Sequence, residues 1–165
     1  MEPNYRDIKI FVMDFDGVLT DNYVYICEDG KEFVRCTRAD GIGLKKLHNR
    51  GIDLMVISKE INLVVSERCK KLKIKCFHGI DNKADFLKKY LSNINVDLKN
   101  VAFVGNDEND IEILKIVGFP MAVNDAYPKV KGIAKYISKK QGGCGAVREI
   151  CDMIDSNYEV IKNGK

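Results

Sequence analysis

Short apolar segments alternate with segments of helical periodicity along most of the chain. The apolar runs, rich in β-branched residues, predict strands at 8–14, 53–58, 74–78, 101–105, 119–123 and 135–138. The segments between them predict helices at 40–50, 60–72, 82–94, 108–117 and 144–160. Because the runs are apolar throughout, the strands are expected to be covered on both faces, as in a parallel sheet. The pattern therefore predicts an α/β fold with a doubly wound, mostly parallel sheet.

One segment departs from this alternation. Residues 23–36, YVYICEDGKEFVRC, have β-rich flanks around an Asp29-Gly30 turn, which predicts a small β-hairpin inserted after the first strand. No repeat, low-complexity tract or linker interrupts the rest. The 165 residues are therefore expected to form one domain, 1–165, with no large insertion.

Composition narrows the class of protein without identifying a function. With 45% hydrophobic and 31% charged residues, the chain is typical of a soluble globular protein. A net charge of +3 is too small to predict nucleic-acid or membrane binding. No apolar run approaches the roughly 18 residues of a membrane span, and no signal-like segment begins the chain, which predicts a cytoplasmic protein.

The six cysteines form no metal-binding or disulfide pattern. They lack a C-x-x-C pair, and the chain has only two histidines. Reduced thiols are therefore expected, as is usual in the cytosol.

Polar residues gather where the predicted strands end. The first strand ends in Asp14 and Asp16, one residue apart and followed by glycine. Carboxylates this close repel each other and are costly near a core unless something uses them. In open α/β sheets, ligands bind outside the carboxyl ends of the strands. Further polar residues are predicted to reach the same edge: Ser58, Lys83, Asn106, Asp107 and Asp110.

These residue types suit phosphoryl transfer. Hard oxygens at one edge suit Mg²⁺, which takes one or two carboxylates and bridges to phosphate. Lys83 supplies a second positive charge, while Ser58 and nearby backbone N–H groups can hold phosphate oxygens. A D-x-D pair alone is equally typical of exposed aspartates ending a strand. The whole ordered set is far more specific.

The ordered set DFDGVLT, VIS, a lysine and VGNDEND resembles the four motifs of the haloacid dehalogenase superfamily, spread over residues 8–110. The resemblance implies that Asp14 is the nucleophile of an aspartyl-phosphate intermediate and Asp16 the general acid and base. It implies that Ser58 and Lys83 bind phosphate. Family members often have an acidic pair at the fourth motif, where this chain has Asn106-Asp107. Asp14 and Asp16 are thus implied Mg²⁺ ligands together with Asn106, Asp107 or both.

Longer segments resemble one branch of this superfamily along nearly the full length, namely RADGIGLKKL, NKADFLKKY, VGNDENDIEILK and GGCGAVREICDMI. The branch comprises capless 3-deoxy-octulosonate 8-phosphate phosphatases, nonulosonate 9-phosphate phosphatases and the phosphatase-like domain of some sialic-acid cytidylyltransferases. It implies a Rossmann-like haloacid dehalogenase fold without a cap domain. It also implies a homotetramer in which the hairpin and the C-terminal segment reach a neighbour's active site.

The residues of the second motif, 58–60, favour one group of substrates within that branch. Octulosonate phosphatases tend to carry Thr-Gly-Arg there. This chain has Ser58-Lys59-Glu60, whose glutamate resembles the nonulosonate group and the domain attached to cytidylyltransferases. Glu60 could accept hydrogen bonds from substrate hydroxyl or amide groups. The sugar carboxylate could be bound by Lys59, Arg68 or Lys71, and Arg148 could clamp an anion. Each of these five also fits an ordinary surface residue.

Two other functions are consistent with parts of the sequence. A response-regulator receiver shares the fold type and Mg²⁺, but its phospho-acceptor follows the third strand, where this chain has KCFHGI. A non-catalytic assembly or regulatory domain, related to the C-terminal part of sialic-acid cytidylyltransferases, is the stronger alternative. The intact Asp14, Asp16, Ser58 and Lys83 favour an enzyme.

Overall fold

In the computed structural model, which describes residues 4–159, a six-stranded parallel sheet forms the centre of the fold. The strands of the chain are β1 Ile10–Met13, β2 Thr20–Ile26, β3 Glu32–Cys36, β4 Asp53–Ile57, β5 Lys75–Phe77, β6 Val101–Gly105, β7 Phe119–Ala122 and β8 Tyr136–Ile137. The helices are α1 Ala39–Asn49, α2 Leu63–Leu72, α3 Lys83–Ile94, α4 Ile111–Ile116, α5 Pro128–Lys131 and α6 Ala146–Glu159. The sheet order is β5-β4-β1-β6-β7-β8, and every pairing in it is parallel.

This architecture confirms the predicted α/β fold with its mostly parallel sheet. The order has the crossover of a doubly wound sheet, because β4 and β6 flank β1 on opposite sides. All four residues of β1 and all five of β6 are buried, as expected for strands covered on both faces.

Several predicted helix boundaries were wrong. The second helix begins at Leu63 rather than residue 60, because the Asn62 side chain accepts a hydrogen bond from the Val64 N–H and caps it there. The predicted helix 108–117 is divided into a 3-10 turn, Glu108–Asp110, followed by α4. The last helix begins at Ala146 rather than residue 144. Residue 160, its predicted end, lies outside the described residues.

The predicted hairpin is present as a separate two-stranded antiparallel sheet. Strands β2 and β3 pair from Thr20–Cys36 to Ile26–Glu32, so the first strand begins three residues earlier than predicted. The hairpin exposes an unusual amount of apolar surface, since five of its side chains are between 48% and 73% exposed: Tyr23, Val24, Tyr25, Ile26 and Phe33.

The remaining predictions concern thiols and membranes. All six cysteines carry free thiols. Within residues 4–159, no helix combines the length and the apolar character that crossing a membrane requires.

Helix α1 packs on α6 so closely that glycine is required at the contact. A Cβ at Gly43 would lie 2.8 Å from the Cβ of Cys151. Beside this contact, the fully buried Asp40 accepts a 3.0 Å hydrogen bond from the Arg148 N–H through Oδ1, while its Oδ2 has no partner in the described part of the chain. Burial raises the pKa of Asp40 to about 6, although the Arg148 N–H and the charge of Arg68 act in the opposite direction.

Asp40 is therefore expected to make stability depend on pH. Because the pKa is higher in the folded state, its contribution is complete below the unfolded value of 3.8 and is lost as the pH rises through about 6. The unfolding free energy of the wild type should fall relative to Asp40→Asn by about 2 kcal/mol between about pH 4 and about pH 7. Urea unfolding across this range measures it, with the exposed Asp97→Asn as control. Parallel profiles for wild type and Asp40→Asn would contradict this assignment.

Candidate active site

The sequence-predicted residues converge at the carboxyl edge of three adjacent strands. Asp14 follows β1, Ser58 follows β4, and Asn106 follows β6. They line one cavity of ≈ 180 Å³, together with other polar side chains: Asp16, Asn22, Lys59, Glu60, Asp107 and Asn109. Lys83 lies at the start of α3 and does not line the cavity itself, but it forms an ion pair with Asp14, which does.

Asp14 is held from two sides. It is only 4% exposed, the Phe15 N–H donates a 2.7 Å hydrogen bond to its Oδ1, and Lys83 Nζ lies 2.8 Å from the same oxygen. Burial and then the negative charge of Asp110 raise the pKa of Asp14 to about 7, against the effect of Lys83. A further cation at this edge would favour the ionised carboxylate.

Lys83 joins two buried carboxylates into a fixed unit. Its Nζ lies 2.8 Å from Asp14 and 2.7 Å from Asp110, and all three side chains are nearly inaccessible to solvent. Burial lowers the pKa of Lys83, but the charges of Asp14 and Asp110 outweigh it, so the net shift is upward. Lys83 therefore stays protonated and presents a permanent positive charge beneath the cavity.

Asp110 is a positioning residue to which the sequence pattern gave no role. Its Oδ2 accepts a 2.9 Å hydrogen bond from the Asn106 N–H, so it orients the segment after β6 as well as Lys83. A Cβ at Gly105 would lie 2.4 Å from that Oδ2, which explains the glycine. The D-x-x-D spacing of Asp107 and Asp110, typical of a capping box, was the available signal.

Asp16 lies in a different environment from Asp14. Burial and then the charge of Glu60 raise the pKa of Asp16, with a smaller contribution from Glu32, while Lys83 lowers it. The turn after it is tight, because Gly17 has φ of 76° and packs directly on the Asn106 side chain. Two neighbouring carboxyl groups with different surroundings are the arrangement expected of a nucleophile and an acid.

Ser58 is oriented by its neighbours. Its Oγ accepts a 3.2 Å hydrogen bond from the Glu60 N–H, and its own N–H donates to the Phe77 carbonyl at 2.8 Å. Since the oxygen already accepts, the hydroxyl proton is free to donate to an anion in the cavity.

A divalent metal fits the oxygen atoms at this edge. Asn106 Oδ1 is buried and has no hydrogen-bond partner among the described residues, which is costly unless a cation or water binds it. By contrast, Asp107 Oδ1 accepts a 2.6 Å hydrogen bond from the Glu108 N–H and caps the following turn. Residues 4–159 contain no group of three His, Cys, Asp or Glu side chains placed to hold a metal. The Asn106 amide oxygen is therefore a candidate ligand beside the aspartates.

Three predicted substrate-binding residues do not line this cavity. Arg68 donates a 2.9 Å hydrogen bond to the Thr37 carbonyl and, with Lys71, lines a separate cavity of ≈ 540 Å³ between α1 and α2. Arg148, on α6, pairs with Asp152 at 2.7 Å. Sequence spacing gave no information on which face of each helix these cations occupy. Within one chain these three cations lie outside the cavity of Asp14, so their contact with a substrate stays a prediction.

Comparison with known families identifies the class of protein. Residues 57–150 match the family of haloacid dehalogenase-like hydrolases. Because this match covers more than half of the chain, the chain belongs to that family. The predicted family and the prediction of a hydrolytic enzyme are confirmed.

Two of the similar proteins are phosphatases of one kind. The 3-deoxy-D-manno-octulosonate 8-phosphate phosphatase of Escherichia coli K12 is 33% identical over 150 residues, covering 90% of this chain and 80% of the relative. The phosphatase of the same name from Moraxella catarrhalis, solved with magnesium ion, phosphate ion and KDO, has a TM-score of 0.91 at 30% identity. That alignment covers 98% of this chain and 96% of the other.

A third relative concerns the metal. The cobalt-bound form of the Haemophilus influenzae octulosonate 8-phosphate phosphatase has a TM-score of 0.90 at 28% identity, covering 95% of this chain and 92% of the other. The predicted divalent-metal cofactor is confirmed by these two metal-bound relatives.

Proposed function

We propose that this protein is a Mg²⁺-dependent phosphatase that hydrolyses a sugar-acid phosphate through an aspartyl-phosphate intermediate. The observation that carries the proposal is the buried Asp14, fixed 2.8 Å from Lys83 in a cavity that also contains Asp16 and the unpaired Asn106 oxygen. Asp14, Asp16 and Asn106 would hold the metal, with Asn106 favoured over Asp107. Bound Mg²⁺ would neutralise charge on the phosphate and between the carboxylates.

The chain's own residues account for both half-reactions. An Asp14 oxygen forms a bond to phosphorus while the bond from phosphorus to the sugar oxygen breaks, and that oxygen takes the Asp16 proton. The Asp16 carboxylate then takes a proton from a water molecule. The water oxygen attacks phosphorus and releases inorganic phosphate, which frees Asp14. Lys83 and the Ser58 hydroxyl hold the phosphate oxygens.

The substrate class rests on the relatives and on the second motif. The named relatives are octulosonate 8-phosphate phosphatases, which supports a sugar-acid phosphate. Lys59 and Glu60 both line the cavity of Asp14, where Glu60 suits hydroxyl or amide donors and repels a carboxylate. We therefore rank nonulosonate 9-phosphates, which are phosphorylated sugars of the sialic-acid type, above octulosonate 8-phosphate. We also propose that the reaction takes place in the cytoplasm.

A homotetramer would bring the remaining predicted cations to the substrate. Arg68, Lys71 and Arg148 lie away from the cavity of Asp14 in their own chain, so any contact with substrate has to come from a neighbouring subunit. The exposed apolar hairpin, together with Ile61 and Leu63, at 77% and 74% exposed, offers a surface for assembly. Light scattering is expected to give the mass of a homotetramer. A fully active monomer would contradict an active site shared between subunits.

The direct test is phosphate release with Mg²⁺ from a panel of octulosonate 8-phosphate, nonulosonate 9-phosphates and hexose phosphates. Rapid release from a sugar-acid phosphate is expected. A folded protein that releases phosphate from none of them would instead support the non-catalytic assembly domain.

Replacing Glu60 by Arg should alter substrate preference. Because the variant loses an acceptor for substrate donors, kcat/KM for nonulosonate 9-phosphates should fall more than for octulosonate 8-phosphate, by about 1–3 kcal/mol. The exposed Glu112→Arg on α4 provides a charge-matched control. Equal losses on both substrates would show that Glu60 is structural.

A further inference from the structure

A second cavity adjoins the cavity of Asp14 and shares three side chains with it. Its volume is ≈ 250 Å³, and Asp16, Asn22 and Glu60 line both. The new part lies between the hairpin and the start of α2, where Glu32 and Asn62 provide polar groups. The two cavities therefore meet at Asp16, the residue that would protonate the leaving oxygen.

The second cavity is lined by acidic and amide side chains and by no basic ones. Its lining contains three carboxylates, Asp16, Glu32 and Glu60, and two amides, Asn22 and Asn62, but no lysine, arginine or histidine. Val34, Val64 and Val65 supply apolar walls. Such a cavity accepts hydrogen bonds from hydroxyl, amide or ammonium groups and repels an anion.

Glu32, an exposed residue at the cavity wall, is hydrogen-bonded to the segment before α2. Asn62 Nδ2 donates a hydrogen bond to Glu32 Oε2, and Asn62 Oδ1 accepts a 2.9 Å bond from the Val64 N–H at the start of α2. This pair ties β3 of the hairpin to the segment that carries Ser58 and Glu60. The negative charge of Glu32 also reaches Asp16, whose pKa it helps to raise after burial and Glu60.

We propose that the second cavity binds the leaving group of the substrate, the polyhydroxylated chain next to the phosphate ester, and that Glu32 determines specificity by accepting its hydroxyl hydrogens. This inference rests on the proposed function, because it places phosphorus at Asp14 and the leaving oxygen at Asp16. From that oxygen, the second cavity is the adjoining space on the hairpin side. Since no cation lines it, the sugar carboxylate lies outside.

The test compares two substrates in Glu32→Gln, which keeps an oxygen that can accept from Asn62 but removes the charge. For a sugar-acid phosphate, kcat/KM should fall about tenfold or more relative to phenyl phosphate, whose leaving group has no further hydroxyl. The exposed Glu28→Gln in the same hairpin is the matched control. Circular dichroism shows whether each variant folds.

A second measurement separates this inference from the proposed function. Calorimetric binding of the dephosphorylated sugar acid needs no turnover, and Glu32→Gln should weaken it by a similar factor. If the wild type hydrolyses both phosphates and Glu32→Gln lowers both equally, or neither, the inference fails while the function stands. If the wild type hydrolyses neither phosphate, the function fails, and the calorimetric result alone decides whether the cavity binds the sugar acid.

Discussion

Asp14→Asn is expected to abolish turnover and leave the fold intact. An amide cannot attack phosphorus, so kcat should fall by at least about 10³-fold with any sugar-acid phosphate and Mg²⁺. The substitution changes little volume, and Lys83 retains its 2.7 Å ion pair with Asp110, so the buried lysine is not left unpaired. Steady-state phosphate release measures the loss, and circular dichroism reports the fold.

The control for this variant is Asp97→Asn, which removes an exposed carboxylate far along the chain. It should be fully active. If Asp14→Asn retained more than about a tenth of wild-type turnover, the role of Asp14 would be contradicted, because removing an essential nucleophile must cause a much larger loss of rate.

Lys83→Met is expected to damage both activity and stability. It removes the cation between two buried carboxylates, leaving Asp14 and Asp110 to repel each other. Breaking a buried ion pair on one side costs about 3–5 kcal/mol, and the phosphate loses a positive charge beneath it. We expect kcat/KM to fall by at least about 10²-fold and the unfolding free energy by about 3 kcal/mol.

A double variant separates these two effects. Lys83→Met with Asp110→Asn removes one of the repelling carboxylates, so it should recover part of the stability but none of the activity. Lys88→Met, on the exposed face of the same helix, is the matched control. Recovery of activity together with stability would show that Lys83 acts only by supporting the fold.

The centre of the sheet was predictable because its inner strands β1, β6 and β7 are buried on both faces. Continuous apolar runs such as Ile10–Met13 leave few alternatives to a covered parallel strand, and the carboxyl edge then follows for Asp14 and Asn106. The four-residue helix α5 was missed because it is barely one turn long, too short for a periodic pattern.

The direction of surface side chains was not predictable in the same way. Arg68 and Lys71 follow Glu60 closely in sequence, yet α2 carries them to another cavity, and the Asn62 cap that starts α2 was read as helix interior. Asp110 was predicted only to lie at the carboxyl edge of the sheet, because its contact with Lys83 depends on two distant segments meeting. Such contacts follow from tertiary packing rather than from local spacing.

The most direct measurement of the central claim is a rapid-quench reaction of the wild-type protein with Mg²⁺ and a sugar-acid phosphate carrying a radioactive phosphoryl group. Acid quenching followed by peptide mapping locates any label on the chain. The proposed mechanism predicts transient label on the peptide containing Asp14, at higher occupancy in Asp16→Asn, where hydrolysis of the intermediate is slowed. Release of labelled phosphate without label ever appearing at Asp14 in either protein would contradict it.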